Sequence, residues 1–305
     1  MSAPPPGPPD LSIEPAHRDN LRGLTWILFS VIASSAMSVA VRPVSLEVDS
    51  RMVVMLRAGI TCGLLLVAIP LIWRYRDRMR FSRPRDHLIR GALIAFSTHL
   101  GFYTLASIPL ATASVLFFTA PIFATLLAMA VHGERVGPRR IAAVGAGFAG
   151  ALIILRPGFG TFEPAMLAAL GSSLLFALAL TMSRGLAQAD GPMSTYVSSV
   201  VVTAVISLPL AAPVLALPVS TYAWVATAVL VVAGGARGVA DIQAYRYGDA
   251  AVLAPVTYLR LVFVGFAGYL MFDERIDGPT LLGAAIIVTA TLYIAQRERM
   301  LKKED

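Results

Sequence analysis

Charge is what this sequence lacks most. Asp, Glu, Lys and Arg make up 14% of its 305 residues, against roughly 25% in soluble proteins. Apolar residues reach 57% and the mean hydropathy is +0.73. A soluble domain of this size would lack the charge to cover its surface, so lipid is the solvent for most of the chain. Cysteine is nearly absent. Cys62 stands alone, which excludes an internal disulfide and a thiol–metal cluster. Four scattered histidines (His17, His87, His99, His132) form no H-E-x-x-H motif. No GxxxxGK[ST] loop is present, so nothing in this chain builds a nucleotide-driven pump. Lysine is scarce too, 2 against 23 arginines, the bias of a GC-rich genome. A bacterial inner membrane is the expected location.

Long apolar runs are what is there. A bilayer core about 30 Å thick takes roughly 20 residues of helix. Ten runs qualify: 21–41, 51–73, 88–107, 111–131, 139–156, 164–184, 193–216, 221–244, 249–272 and 278–296. The reading is an all-α integral membrane protein of ten transmembrane helices. Residues 1–20, with six prolines in the first fifteen, read as a disordered tail. They do not follow the basic-then-apolar order of a signal peptide. Residues 297–305 form a charged C-terminal tail.

Positive charge sets orientation. With the N-terminus in the cytoplasm, 18 Lys and Arg fall on the cytoplasmic side and 4 outside, and Arg57, Arg237 and Arg260 lie within spans. Both termini are expected in the cytoplasm. The net charge of +7 then follows from topology, and nucleic acid is not an expected partner.

The chain repeats itself. The stretch from Tyr103, "YTLASIPLATASVLFFTAPIFATLLAMAVHGERVGPRRIAAVGAGFAGALII", parallels the stretch from Tyr245, "YRYGDAAVLAPVTYLRLVFVGFAGYLMFDERIDGPTLLGAAIIVTATLYI". Glu134-Arg135 matches Glu274-Arg275, and Gly137-Pro138 matches Gly278-Pro279. The first E-R turn falls on the cytoplasmic side and the second outside, so two five-helix repeats, 21–156 and 164–296, are inverted. Inverted repeats are a common transporter architecture, with the substrate between the halves. These stretches resemble the two EamA-type repeats of the drug/metabolite transporter superfamily. The resemblance covers about residues 20–297. It implies ten helices in two inverted halves, a central cavity, and transport of small polar metabolites such as amino acids, nucleotide-like compounds or vitamins. It implies no cofactor and does not fix the substrate or the direction of transport.

"GAGFAG" at 145–150 matches the dinucleotide fingerprint G-x-G-x-x-G, with Glu163 near the place of the ribose acid. A strand before the glycines and a helix after them are required. Instead a basic turn precedes them and an apolar run follows. Ala143, Gly147 and Ala151, like Ala142, Ala146 and Gly150, recur every four residues, a spacing that lets helices approach closely in lipid. This span is read as a packing helix.

Ionisable groups at membrane depth are costly and mark candidate sites. Arg260 is roughly 16 Å from either end of its span, too deep to snorkel. Arg237 and Asp241 share a helix face and can pair. The spans then hold three arginines against one aspartate, an excess that a substrate carboxylate or phosphate would neutralise. Arg57 lies roughly 9 Å inside its span, where its side chain either snorkels outward or acts at a site; the resemblance favours a functional arginine there. His99, with Tyr103 one turn on, is either a satisfied core histidine or a proton-carrying group. Phe117, Phe118 and Thr119 precede Pro121, and Pro255 interrupts the ninth span, where freed carbonyls need partners. Trp26, Ser34, Ser38, Ser172, Ser173 and Tyr258 complete the candidate lining.

The leading reading is a secondary transporter of a carboxylate- or phosphate-bearing metabolite, working by alternating access, with protons as a candidate coupling ion loaded on Asp241 or His99. An intramembrane enzyme would need paired acids or a nucleophile and base at depth. Asp249 in "YGDA" lies at a span edge, about 12 Å along the helix from Asp241, with no second half-site elsewhere. A receptor or scaffold would carry larger loops. Glycine-rich spans serve packing within and between chains alike, so the oligomeric state stays open. The charge bias predicts that single cysteines at Ser82 and Asp277, in a Cys62→Ala background, are labelled from opposite sides by an impermeant maleimide. Labelling of both from one side would break the inverted topology.

Overall fold

The computed structural model describes residues 20–71, 79–132, 138–155, 163–247, 253 and 256–304. These residues form helices and turns, with no strand among them. The helices are α1 (Asn20–Ser45), α2 (Ser50–Leu71), α3 (Pro84–Ser107), α4 (Leu110–Phe117), α5 (Ala120–His132), α6 (Pro138–Leu155), α7 (Pro164–Asp190), α8 (Pro192–Ala211), α9 (Thr221–Tyr247), α10 (Leu259–Phe272) and α11 (Gly278–Glu304). Proline opens α3, α6, α7 and α8, where its missing N–H costs no helical bond. Gly191, at φ 88, reverses the chain between α7 and α8 in one residue, a conformation that only glycine adopts cheaply.

Six stretches are long and apolar enough to cross a membrane, and α6, α10 and α11 contribute shorter apolar segments. Large apolar side chains such as Leu66, Val232 and Phe266 stand more than 60% exposed. On a bilayer-spanning chain this is the lipid face. The C-terminal tail expected at 297–305 continues α11 as far as Glu304.

The pairing of helices carries the inverted repeat. With α4 and α5 counted as one span, α1 packs on α9 and α7 packs on α3. The first span thus meets the eighth as the sixth meets the third. Helix α6 packs on α11, α2 on α8, and α4 on α10, each against its own counterpart in the other half. The paired E-R turns are described only in part: Glu134, Arg135 and Gly137 lie outside the described residues, as do Asp249 and Pro255.

The fourth span, expected to be continuous over 111–131, breaks at Phe118–Thr119. The cause is Pro121, which cannot donate to the Phe117 carbonyl. Ser173 Oγ donates to that carbonyl at 3.4 Å and to Leu116 O at 3.3 Å. Thr119 Oγ1 donates to Leu116 O at 2.7 Å, and Thr291 Oγ1 reaches Phe118 O at 3.4 Å. Tyr258 turns the chain into α10 in the second half and stacks on Phe118, with centroids 4.7 Å apart at 22°. Phe118 and Tyr258 stand the same 140 residues apart as Glu134 and Glu274, so the stack joins equivalent positions of the two repeats.

Carboxylates tie the repeats together at both ends of the bundle. Call the end where α1 begins the near end. There Asp190, at the α7–α8 turn, accepts from Ser82 N at 3.0 Å and from His87 Nε2 at 2.9 Å, just before and within α3. His87 Nδ1 in turn meets Ser198 Oγ at 2.8 Å. At the far end Glu47, in the α1–α2 turn, accepts from Val219 N at 2.7 Å, from Ser220 N at 3.1 Å and from the Ser220 hydroxyl, just before α9. A second far-end clasp joins Arg42 Nη1 to Glu274 Oε1 at 2.8 Å, while Glu274 Oε2 accepts from Leu110 N at 2.7 Å. Arg42 also donates to Ile108 O at 2.5 Å. The far end is therefore closed by two carboxylates.

The glycines of "GAGFAG" have packing roles. A Cβ on Gly147 would lie 2.2 Å from Ile122 Cδ1 and 3.6 Å from Ala290 Cβ. One on Gly150 would meet the Gly283 carbonyl at 3.0 Å, on α11. Two predictions follow from this packing and from the near-end tie. Gly147→Leu overpacks the α6–α5–α11 contact and lowers stability by about 1–3 kcal/mol, read as a lowered melting temperature that NAD does not restore. The Asp190 tie is pH-dependent. The Ser82 hydroxyl and amide, then His87, hold the Asp190 carboxyl down at about 2. Its contribution is complete above the unfolded value of about 4 and is lost as pH falls through about 2. Asp190→Asn should melt earlier than wild type at neutral pH. That gap should close between about pH 4 and pH 2; a gap constant with pH would show that the carboxylate charge is not what ties the turn.

Candidate functional site

A cavity of about 370 Å³ opens between α2, α3, α7, α8 and α9, within the size range of small-molecule sites. It runs from Pro192 and Arg90 at the near end to Arg57, Thr203 and Gly234 deeper in the bundle. Three glycines of α9, Gly234, Gly235 and Gly238, form one wall with Asp241. They recur on one face because residues three and four apart stack along a helix.

The glycines admit side chains from other helices. A Cβ on Gly234 would lie 3.1 Å from Arg57 Nη2, and one on Gly238 would lie 3.5 Å from Tyr196 Cε2. A Cβ on Gly235 would have no neighbour within 4 Å, so this glycine borders open space. Arg57 does not snorkel outward. Its guanidinium lies 5.6 Å over the Phe102 ring and against Gly234, and it makes no hydrogen bond or ion pair within the described residues. A guanidinium has five N–H donors and stays charged, so these donors are open to an acceptor in the cavity.

The cavity's other arginine is satisfied. Arg90 donates through Nε to Ser183 Oγ at 2.8 Å, and through Nη1 to Thr195 O at 3.1 Å and to Ser199 Oγ. Asp241 is shared: Oδ1 accepts from Ser30 Oγ, and Oδ2 lies 3.5 Å from Arg237 Nε. The expected Arg237–Asp241 pair therefore forms, though loosely.

The other predicted site residues distribute differently. Arg260 donates from Nη2 to Ser38 Oγ at 2.9 Å. Its Nε is buried without a partner, and it lies outside the cavity lining. Asp241 takes Ser30 and Arg237, not Arg260. Ser38 is fully buried and donates to Ser34 O at 2.9 Å, while Ser34 donates to Val31 O at 3.0 Å. His99 Nε2 meets Ser207 Oγ at 2.9 Å, and its Nδ1 is buried without a partner. Its neighbour Thr98, not His99, lines the cavity. Tyr103 is 42% exposed on the outer surface of α3. Trp26 meets Phe29 edge-on at 6.4 Å and packs on Ile27, Ala244 and Leu253. Phe118, Tyr258 and Thr119 belong to the broken-helix crossing described above. Ser97 and Ser172 exchange hydroxyl-to-carbonyl bonds at 2.8 Å in both directions, which fastens α3 to α7.

Sequence reasoning placed Arg57 and Asp241 among the candidates but missed Tyr196, Arg90 and the α9 glycines. The signal for them was present. Gly234, Gly235 and Gly238 precede Asp241 at helical spacing, and a glycine stripe leading to an acid within a span marks a face that another group occupies.

Apolar spans, paired inverted halves and a walled cavity define an integral membrane carrier for small molecules. The chain belongs to the EamA-like transporter family, whose model matches residues 21–156 and 163–296. It is similar to the S-adenosylmethionine uptake transporter of Rickettsia bellii, 31% identical over 91% of this chain and 94% of that protein. The riboflavin transporter of Rhizobium johnstonii is 31% identical over 94% of this chain and 95% of its own length. The pseudopaline exporter of Pseudomonas aeruginosa is 26% identical, covering 90% and 96%. One solved crystal structure shares the fold, with a TM-score of 0.58, 22% identity, and coverage of 90% of this chain and 94% of that one. The chain is thus a transporter of small metabolites and not an enzyme.

Proposed function

We propose that this protein is a secondary transporter for a small polar metabolite bearing a carboxylate or phosphate, bound with that group on Arg57. The observation that carries the reading is the Arg57 guanidinium, which borders the cavity with no acceptor among the described residues. In a low-dielectric site such a cation attracts anions strongly and repels cations. The guanidinium fork fits a carboxylate through two parallel hydrogen bonds. The names of the relatives support a metabolite of this size. S-adenosylmethionine carries a carboxylate and riboflavin does not, so the Arg57 reading favours the first kind of cargo.

The same reading places the near end in the cytoplasm of a bacterial inner membrane, in keeping with the charge bias. The cavity then opens inward while the Arg42–Glu274 and Glu47–Ser220 contacts close the outer end. Alternating access requires those outer contacts to part. Proton coupling falls to Asp241, because Asp241 borders the cavity and His99 does not. Arg260, held by Ser38, supports the positive potential of the bundle from outside the cavity.

Binding of matched carboxylate, amide and amine analogues to the purified carrier, followed by uptake into proteoliposomes, tests the proposal. Wild type should prefer the carboxylate. Arg57→Ala should weaken carboxylate binding roughly 10- to 100-fold, as expected for losing a charge-assisted hydrogen bond, while the amide is little affected. Arg57→Lys should recover only part, since an ammonium lacks the fork. An undiminished carboxylate preference in Arg57→Ala would overturn the assignment.

A further inference from the structure

Arg90 borders the cavity at its near end, in the second turn of α3. It is held there but not neutralised. Nε donates to Ser183 Oγ on α7 at 2.8 Å, and Nη1 donates to Thr195 O at 3.1 Å and to Ser199 Oγ, both on α8. All three acceptors are neutral. No carboxylate pairs with Arg90 among the described residues. Asp241, the acid in the cavity lining, is engaged by Ser30 and Arg237. Asp190, at the α7–α8 turn, is engaged by Ser82 and His87.

The three bonds use Nε and Nη1 and leave Nη2 over. Nη2 makes no hydrogen bond among the described residues. It is also absent from the sealed polar atoms that lack a partner, so it keeps accessible surface. A guanidinium fixed at two of its nitrogens, with the third open, is a cation positioned in advance. Little side-chain freedom is left to lose when an acceptor arrives.

We propose that Arg90 forms a second anion subsite, at the cavity mouth, for the same carboxylate or phosphate group that Arg57 takes deeper in. The inference rests on the Arg57 reading for the deeper station and adds the station before it. Arg90, Ile94 and Thr98 all line the cavity at i, i+4 and i+8, one face of α3. That face runs about 12 Å inward from Arg90. An anion entering from the near end thus meets Arg90 first and Arg57 later. Two cations along one low-dielectric cleft raise the local concentration of anions and turn simple cations away at the mouth.

Inorganic phosphate tests the subsite, because it fits a guanidinium at either depth. The readout is the melting temperature of the full-length carrier in detergent, titrated with phosphate against sodium chloride of equal ionic strength. A ligand that binds the folded state raises that temperature. The double variant Arg57→Ala/Arg90→Gln reports the general salting effect of phosphate, which is subtracted. Arg57→Ala and Arg90→Gln should then each keep roughly half of the wild-type shift, since independent sites add. Arg90→Lys keeps the charge and loses the planar fork. Placed in the Arg57→Ala background, it should fold and show a smaller shift than Arg57→Ala alone, which decides the matter even where Arg90→Gln does not fold. Complete loss of the shift in Arg57→Ala overturns the Arg90 subsite and leaves the Arg57 reading standing. Complete loss in Arg90→Gln with an unchanged Arg57→Ala overturns the Arg57 reading and leaves the mouth subsite. A shift in the double variant equal to that of wild type overturns both.

Discussion

Everything in this structure depends on one constraint: in hydrocarbon, each backbone N–H and C=O must find its partner within the protein. Unbroken helices meet it by themselves. The fourth span does not, because Pro121 leaves the Phe117 carbonyl without its donor. Ser173 on α7 reaches in from the second repeat and brings its hydroxyl to 3.4 Å from that carbonyl. The break therefore lies where the second half packs against it. Satisfying a carbonyl and joining the two repeats are the same event. The Phe118–Tyr258 stack sits at that junction, and its two rings hold equivalent positions in the two halves.

The same economy governs the ends. Asp190 and Glu47 sit in corresponding turns, between the first and second helices of their repeats. Each accepts the amide that precedes the third helix of the opposite repeat. Both ties are formed together, at opposite ends of the bundle. As a symmetric pair they do not distinguish one end from the other. The asymmetry of the structure lies elsewhere. A cavity opens at the near end, and the Arg42–Glu274 clasp draws α1, α4 and the α10–α11 turn together at the far end. Gly268 leaves room for this clasp, since a Cβ there would lie 2.7 Å from Glu274 Oε2. Asp273, at φ 51, turns the chain so that the carboxylate points inward.

Much of this was legible in the sequence, and the limits are physical. Apolar length and arginine bias gave spans and repeats because lipid solvation acts on every residue of a span alike. The packing role of Gly147 and Gly150 was readable from their four-residue spacing. The Arg237–Asp241 pair was readable because both lie on one helix. What escaped was which helices enclose a cavity. Arg57 was seen as a group that would either snorkel or act. Its direction depends on Gly234, 177 residues away, which leaves space for a guanidinium. Arg260 drew attention by its depth, yet a single hydroxyl, that of Ser38, holds it outside the cavity. Depth in a span reports the cost of a charge and does not report which way the side chain faces. The Glu47 and Asp190 ties were hidden for a similar reason: both acids lie at span edges, where charge is cheap and ordinarily carries no information.

Cost and direction together explain why the glycines of α9 matter more than their composition implies. In water a glycine in a helix interior only weakens it. Against lipid or a packed neighbour it lets another helix approach. On α9 the vacancy is filled from the side instead, by the head of Arg57 and the edge of Tyr196. A buried cation is tolerable there because the Phe102 ring faces it, and a cation above an aromatic face is stabilised by the ring quadrupole. That compensation is partial, since a ring accepts no strong hydrogen bond from the five guanidinium donors. The glycine stripe thus does two things with one feature: it makes room for the charge, and it leaves that charge short of partners, among the described residues, on the side that faces the cavity.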